Sequence, residues 1–593
     1  MKKEQWILQA KKADFNKIGQ TYNISPILAR IIRNRDVITK EQIKKYLYGT
    51  TEDFYNPYLL KGMDDAVKII EQCIEKKEVI GISSDFDNDG IFASMILLTG
   101  LKRIGAVVQT YTPDRVKEGY GINNRIIDEA LENGVSLILT CDNGIAAMEP
   151  IAYAKSKGLK VIVTDHHEVP FIENENGKTF IYPEADVIIN PKMEDCTYPF
   201  KKLCGAAVAY KLIQVLYEKH NINKEQLYDL LEYAAIATVA DVMDLVDENR
   251  IIVREGLSRL KKTKNLGLKA LMEVNQLDPE NINSYHIGFI IGPCFNAAGR
   301  LDTVKIALDL LQASTYEKAL MLATELKQLN TDRKDMTVKG VEQAIHLIET
   351  SDIKNDSILC VRLQNCHESL VGIIAGRIRE KYHKPAIVFT DGGEGIKGSG
   401  RSIEEYDMFK GLTKCKPLLG KFGGHPMAAG LSLEEKNLPA LRKQLNEQCG
   451  LTKEDLTPKV YIDVPMPIQY VTDGFIESLS LLEPFGKGNG KPLFAEPHFK
   501  ILKATVLGKN QNVLKMNVMN LDGHIIEAMF FGDIDDFNEC IIKYYGKEGL
   551  DAMYLGNQNN IDIGFTYYPT KNEFRGQITL QIIIQNYCVI EGK

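Results

Sequence analysis

The chain has 593 residues, 44% apolar and 25% charged, which is the make-up of an ordinary globular protein with room for three or four domains. No apolar run approaches the roughly 18 residues of a membrane span, and MKKEQWILQAKKAD lacks the apolar stretch and small-residue cleavage site of a signal peptide; a cytoplasmic protein without membrane association is expected. The net charge of −7 argues against polyanion binding by the whole surface but leaves room for a local basic groove, and eleven cysteines with no C-x-x-C pair read as buried reduced thiols rather than a zinc site or a disulfide framework.

Residues 1 to 75 read as helices, with apolar residues at helical spacing in ILARIIRNR and TKEQIKKYL, and are expected to pack on the α/β region that begins near residue 76. From Glu78 short apolar runs alternate with amphipathic stretches: VIGISS, AVVQTYT, SLILTC, KVIVT and ADVIIN with helical segments between them. That alternation predicts a parallel sheet covered on both faces, over residues 76 to 314. Ligands of such sheets bind beyond the carboxyl ends of the strands, and the polar residues fall there. Asp85, Asp87 and Asp89 follow the first strand in DFDNDG, Asp142 follows SLILTC, and Asp165, His166 and His167 follow KVIVT.

DFDNDG opens like an EF-hand calcium loop, yet the twelfth position is Ile96 and a strand, not a helix, precedes it. There is no G-x-G-x-x-G after the first strand and no G-x-x-x-x-G-K-[ST] anywhere, so dinucleotide and P-loop readings lose their support. Further on, the apolar stretch LYDLLEYAAIATVADVMDLV delivers Asp241, and IGPCFNAAGRLD places Arg300 in a turn of small residues. Residues 315 to 350 read as a long connecting helix.

A second, smaller α/β domain is expected over residues 351 to 455. Its glycine-rich stretches GGEGIKGSGRS and FGGHPMAAG set donors from Arg377, Ser399, Arg401 and His425 beside glycines, as in a phosphate-binding nest; a pair of tight turns is the plainer reading. Residues 456 to 593 become strand-like with turn punctuation, which suits a small β-barrel of the OB type.

Closely packed carboxylates repel one another unless cations sit among them. Asp85, Asp87, Asp89, Asp142, His166, His167 and Asp241 together favour two ions of Mn²⁺ or Mg²⁺ over zinc, and the inferred reaction class is phosphoryl hydrolysis.

With these residues collected, the sequence resembles the DHH phosphoesterase superfamily and, within it, the RecJ exonuclease family. DFDNDG, PDRVKEGYG, TCDNGI, TDHHE, ATVADV and NAAGRLD look like successive motifs of that family, GSGRS and GGHPMAAG like its DHHA1 domain, and LEPFGKGN like the entry to its OB domain. The resemblance implies a 5′-to-3′ exonuclease on single-stranded DNA in recombination and repair, monomeric, working with a single-strand-binding protein and a helicase. It implies Asp87, Asp89, Asp142, His166 and Asp241 as metal ligands, Asp85 as their support, and His167 facing the scissile phosphate. Arg300, Ser399 and Arg401 match positions that hold the DNA 5′ end. Three departures stand out: Cys294 where the family has Arg, HESLVG for HPGVIG, and Gly490 where Pro is common. Two other readings stay open: a DHH phosphodiesterase of oligoribonucleotides or cyclic dinucleotides, and a binding subunit without activity.

Overall fold

The computed structural model describes residues 4–115, 118–174, 177–301, 303–393, 395–508, 510–574 and 576–589. Val116 and Lys117 of PDRVKEGYG, Asp302 of NAAGRLD and Glu394 of GGEGIKGSGRS lie outside the described residues. The chain divides into two compact units, residues 50–456 and residues 1–49 with 457–593.

The larger unit is built first on a five-stranded parallel sheet. Its strands are β1 (Val79–Ser84), β2 (Val107–Tyr111), β3 (Val135–Cys141), β4 (Lys160–Thr164) and β5 (Val187–Ile189), in the order β2-β1-β3-β4-β5. β1, β3 and β4 are almost wholly buried, which is why they read as unbroken apolar runs rather than alternating ones. The chain passes from β1 to β2 on one side and returns to β3 on the other, so the strand order reverses between β1 and β3. A parallel sheet opens a crevice at that switch point, and Asp85 and Asp142 stand at the two strand ends that flank it.

Helices α1 (Asn88–Arg103) and α2 (Gly205–Lys219) pack on the sheet, α3 (Leu231–Ala240) and α4 (Gly292–Leu301) pack on those helices in turn, and all four share its apolar core. A 34-residue helix, α5 (Tyr316–Glu349), leads to a second sheet. That sheet is β6 (Leu359–Arg362), β7 (Ala386–Asp391), β8 (Ile396–Arg401), β9 (Phe422–His425) and β10 (Ala428–Leu433), in the order β9-β10-β8-β7-β6, with α6 (Val371–Tyr382) against it.

The smaller unit contains a closed barrel of β11 (Phe494–Leu507), β12 (Val513–Asn520), β13 (Ile525–Phe530), β14 (Asp562–Phe574) and β15 (Gln577–Val589). β11 pairs with both β12 and β14, and register shifts at Ile501/Lys503 and Glu496/Phe499 let this long strand bend enough to do so.

The segment 1–75, expected to pack as a whole on the parallel-sheet domain, divides: Leu60, Met63, Ala66, Val67 and Ile70 join the core of that sheet as expected, whereas the helices before residue 50 belong to the other unit. Leu28, Ile31, Ile32, Ile43, Tyr46 and Leu47 enter the same core as Phe494, Met516 and Phe565, and strand Gln5–Leu8 pairs in parallel with Lys459–Ile462. The helical spacing specifies a face to bury but not its partner. Polar contacts fix the partner here: Asn34 Nδ2 donates to the Asp463 carbonyl at 3.2 Å and the Tyr46 hydroxyl to Asn489 Oδ1 at 2.8 Å.

Candidate active site

Asp87 caps α1: its Oδ1 accepts from the backbone N–H of Asp89 at 3.0 Å and of Gly90 at 3.2 Å. Asp85, at the end of β1, accepts from Gly121 N–H at 3.3 Å and is 2% exposed. Asp89, in the first turn of α1, is gripped by the N-terminus of α2, with Gly205 N–H to Oδ2 at 2.6 Å and Ala206 N–H to Oδ1 at 2.7 Å. Position 205 must be glycine for this approach, because a Cβ there would lie 2.6 Å from Cβ of Asp142. Asp142 has φ 61°, a left-handed conformation that aspartate tolerates, and its N–H donates to the Thr164 carbonyl at 3.1 Å. Asp241 terminates α3 as its C-cap.

These elements bring imidazole and carboxylates together. His166 Nε2 lies 3.1 Å from Asp142 Oδ1, 3.4 Å from Asp89 Oδ2 and 3.9 Å from Asp241 Oδ2. Donor atoms of Asp89, His166 and Asp241, and of Asp142, His166 and His167, form two groups each within 4.8 Å. Asp85 and Asp87 stand beside these groups rather than in them. Burial, then the Asp87 charge, pushes the Asp85 carboxyl up to about 8, and burial, then neighbouring Asp89, raises Asp87. Asp142 is raised by burial and then by Asp89, Asp87 and Asp241, whereas burial lowers His166 toward its neutral form.

Asp165 differs from the other carboxylates. Burial alone would raise it, but the His167 hydrogen bond and charge hold it below the ordinary range. Its Oδ1 accepts from His167 Nδ1 at 2.7 Å and from the His166 and His167 N–H groups, and Oδ2 from Ile145 N–H at 2.9 Å. Asp165 is therefore the holder of the imidazoles. Burial opposes the charge on His167, yet the Asp165 hydrogen bond raises it to about 9 and leaves Nε2 as the nitrogen free to meet a substrate. Tyr120 completes this group, donating to the Asp142 carbonyl at 2.7 Å with its hydroxyl 3.0 Å from His167 Nδ1. Sequence reading passed over Tyr120; its only signal was its place in PDRVKEGYG.

The donor set fits divalent cations. Asp142 Oδ1 and His166 Nδ1 are buried polar atoms without a hydrogen-bond partner, and closely packed buried carboxylates with one or two imidazoles are the chemistry of an Mn²⁺ or Mg²⁺ site.

A second cluster lies where α4 meets the turn Glu368–Leu370 that leads into α6. Arg300 Nη1 donates to the Ser369 carbonyl at 2.7 Å, just before α6. Arg401 Nη1 donates to Ser399 Oγ at 3.0 Å and to the Gly400 carbonyl at 2.8 Å, and both side chains press against Gly372 in the first turn of α6. His367 reaches Ser369 Oγ at 2.8 Å. Burial, then the Arg115 and Arg333 charges, pushes the Arg300 guanidinium down to about 9 against an opposing pull from Asp87, so positive charge gathers here. An adjoining cleft of about 490 Å³ is lined in part by Arg115, Arg125, Arg300 and His367, and Arg115 sits over the Phe86 ring at 4.6 Å.

Arg300, Ser399 and Arg401 thus come together around a helix N-terminus, a setting for an anion. Arg377 and His425 do not join them: Arg377 is exposed and paired with Glu380 at 3.1 Å, and His425 is exposed at the end of β9. Gly372, His367 and Arg115 were missed because their contacts are made across elements far apart in sequence. Cys294 is fully buried with Asn330 Nδ2 3.4 Å away, so this departure packs the interior rather than facing the cleft.

Family models match in order: the DHH family N-terminal domain over residues 79–238, the DHHA1 domain over 355–451 and the RecJ OB domain over 462–586. The single-stranded-DNA-specific exonuclease RecJ of Salmonella typhimurium is 32% identical over 610 residues, 98% of this chain and 99% of that one. The chain belongs to the RecJ family. The RecJ of Bacillus subtilis is 37% identical over 523 residues, covering 87% of this chain but 64% of its own length, so this chain spans less than two thirds of that relative. The fold is that of Thermus thermophilus RecJ solved in complex with Mn²⁺, with TM-score 0.80 at 23% identity over 99% of this chain and 80% of that one. The same protein in complex with Mg²⁺ matches at TM-score 0.74 and 22% identity, over 99% and 79% of the two chains. Among the described residues no helix is long and apolar enough to cross a membrane.

Proposed function

We propose that this RecJ-family chain is a metal-dependent exonuclease that degrades single-stranded DNA from the 5′ end, in recombination and repair. The observation that carries it is the pairing of two sites in one unit, a carboxylate–imidazole cluster at the sheet's switch point and an arginine pocket at the N-terminus of α6. Asp87, Asp89, Asp142, His166 and Asp241 would hold Mn²⁺ or Mg²⁺, with Asp85 supporting them. When bound, the cations supply charge neutralisation on the phosphoryl oxygens and an activated water. His167, fixed by Asp165 and Tyr120, presents Nε2 to the scissile phosphate and stabilises the charge that builds on it. Arg300, Ser399 and Arg401 receive the terminal 5′ phosphate through charge-assisted hydrogen bonds, and so set where the strand meets the cluster.

The β-barrel supports a polymeric substrate over a dinucleotide, since barrels of this kind grip single strands by stacking and phosphate contacts. A single-strand specificity calls for a helicase to expose the strand and a single-strand-binding protein to keep it open; the enzyme acts as a monomer. The test is digestion of 5′-labelled and 3′-labelled single strands and of blunt duplex, with Mn²⁺, with Mg²⁺ and with chelator. Immediate release of 5′-labelled mononucleotide from single strands only, and only with metal, is expected. Release from the 3′ end, or equal attack on duplex, would overturn the reading.

A further inference from the structure

Tyr285 and Phe289 are large aromatic residues left 58% and 61% exposed, and they are stacked on each other with ring centroids 4.7 Å apart and planes 26° apart. His286 meets Tyr285 edge-on at 5.9 Å. A lone exposed ring needs no explanation, but a stacked exposed pair is a built surface. The pair stands at the start of a single π-helical turn, Ile287–Ile291, that runs directly into α4, and such turns cluster at functional sites.

The surroundings of that helix identify the occupant. At its far end Arg300 belongs to the arginine pocket. Gly299 abuts the Phe86 carbonyl, and Asn296 Oδ1 accepts from Asn88 N–H at 3.2 Å, so the middle of α4 follows the DFDNDG loop. Gly292 packs against Ala240, whose neighbour is Asp241, and Gly288 against Val239. Val242, just past Asp241, is itself 59% exposed with φ 55°, an outlying conformation for a β-branched residue, and adds apolar surface at the same rim. The order along one helix is therefore arginine pocket, metal-ligand loop, Asp241, aromatic pair.

We infer that Tyr285 and Phe289 form a stacking platform for a nucleobase on the 3′ side of the scissile phosphate, holding the body of the strand as its 5′ end sits among the arginines. This rests on the proposed reading of the site as a single-strand exonuclease. Stacking tolerates any base, which suits an enzyme that must advance through all sequences.

The test uses the full chain and 5′-phosphorylated oligodeoxynucleotides carrying one abasic residue at successive positions. On the unaltered protein, an abasic residue at one position 3′ of the first scissile bond should raise the half-saturating concentration about tenfold, with a much smaller change in turnover at saturation. Tyr285→Ala/Phe289→Ala should show that higher value on intact strands and ignore the abasic residue, while Phe289→Tyr should restore the original profile. Both rings are exposed, so the fold is not at stake. Identical abasic profiles in the double variant and the unaltered protein would overturn the platform. Failure of the unaltered protein to cut single strands would instead overturn the function on which it rests.

Discussion

The Tyr120 hydroxyl has one proton, and the Asp142 carbonyl can only accept it; the phenolic oxygen then faces His167 Nδ1 as an acceptor beside Asp165. The tyrosine thus ties a proposed metal ligand to the imidazole proposed to face the phosphate, and helps keep the proton on Nδ1. Tyr120→Phe should lower turnover about tenfold to a hundredfold, since a hydrogen bond to a charged group is worth about 1.5 to 3 kcal/mol, while the half-saturating DNA concentration moves little. Steady-state kinetics on a 5′-phosphorylated strand checks this, and a change confined to half-saturation would refute the role. Arg401 makes a different demand. Its hydrogen bonds go to Ser399 and Gly400, and it lies against Gly372 where the α6 N–H groups begin. Arg401→Ala should lose about tenfold to a hundredfold on 5′-phosphorylated strands and much less on 5′-hydroxyl strands, with metal affinity unchanged. Side-by-side rates on the two substrates decide it: an unchanged preference for the phosphate would make Arg401 a structural residue.

Helix α3 carries one acid at each end, Asp241 at the rim of the candidate metal site and Glu232 in the first turn, where it is 6% exposed. Burial pushes the Glu232 carboxyl up to about 8, against an ordinary value of 4.5. The folded protein therefore keeps a proton that the unfolded chain has released, so this group's contribution to stability is full below about pH 4.5 and is lost as pH rises through 8. Glu232→Gln should match the unaltered protein at pH 5 and melt at higher temperature at pH 9. Melting curves across that range provide the check, and parallel pH profiles would show that Glu232 is not titrating as described. This helix also shows what the sequence could and could not tell. The unbroken apolar runs of β1, β3 and β4 and the acids at their ends are visible as pattern, because strand period and switch-point chemistry are local. That Asp241 ends α3 beside His166, and that α2 must begin at Gly205 to grip Asp89, depends on packing between segments far apart in the chain. The resemblance to known motifs supplied the ligand set that spacing alone left open, and it said nothing of Tyr285 and Phe289.

At the scale of the whole molecule, the division into residues 50–456 and residues 1–49 with 457–593 changes how truncation must be designed. Cutting after residue 456 removes the barrel but leaves the N-terminal helices, whose Leu28, Ile31, Ile32, Ile43, Tyr46 and Leu47 would lose the core that now covers them. Each such side chain is worth about 1.5 to 3 kcal/mol when buried, so the stranded helices cannot stay ordered and their apolar face invites association. The chain 1–456 should therefore aggregate, whereas the chain 50–456, which keeps its own core and both candidate sites, should stay soluble and melt cooperatively. Size-exclusion chromatography of the two truncations distinguishes them, and equal solubility would mean that the helices find cover elsewhere. In the soluble form, the strand grip proposed for the barrel is gone while the metal ligands and Arg300 remain. The DNA concentration needed should rise far more than turnover falls, and the logarithmic salt dependence should become shallower by about 0.7 for each phosphate that the barrel no longer neutralises. If the chain 50–456 and the full chain gave the same salt slope on the same strand, the barrel would not be the grip on single-stranded DNA that its fold suggests.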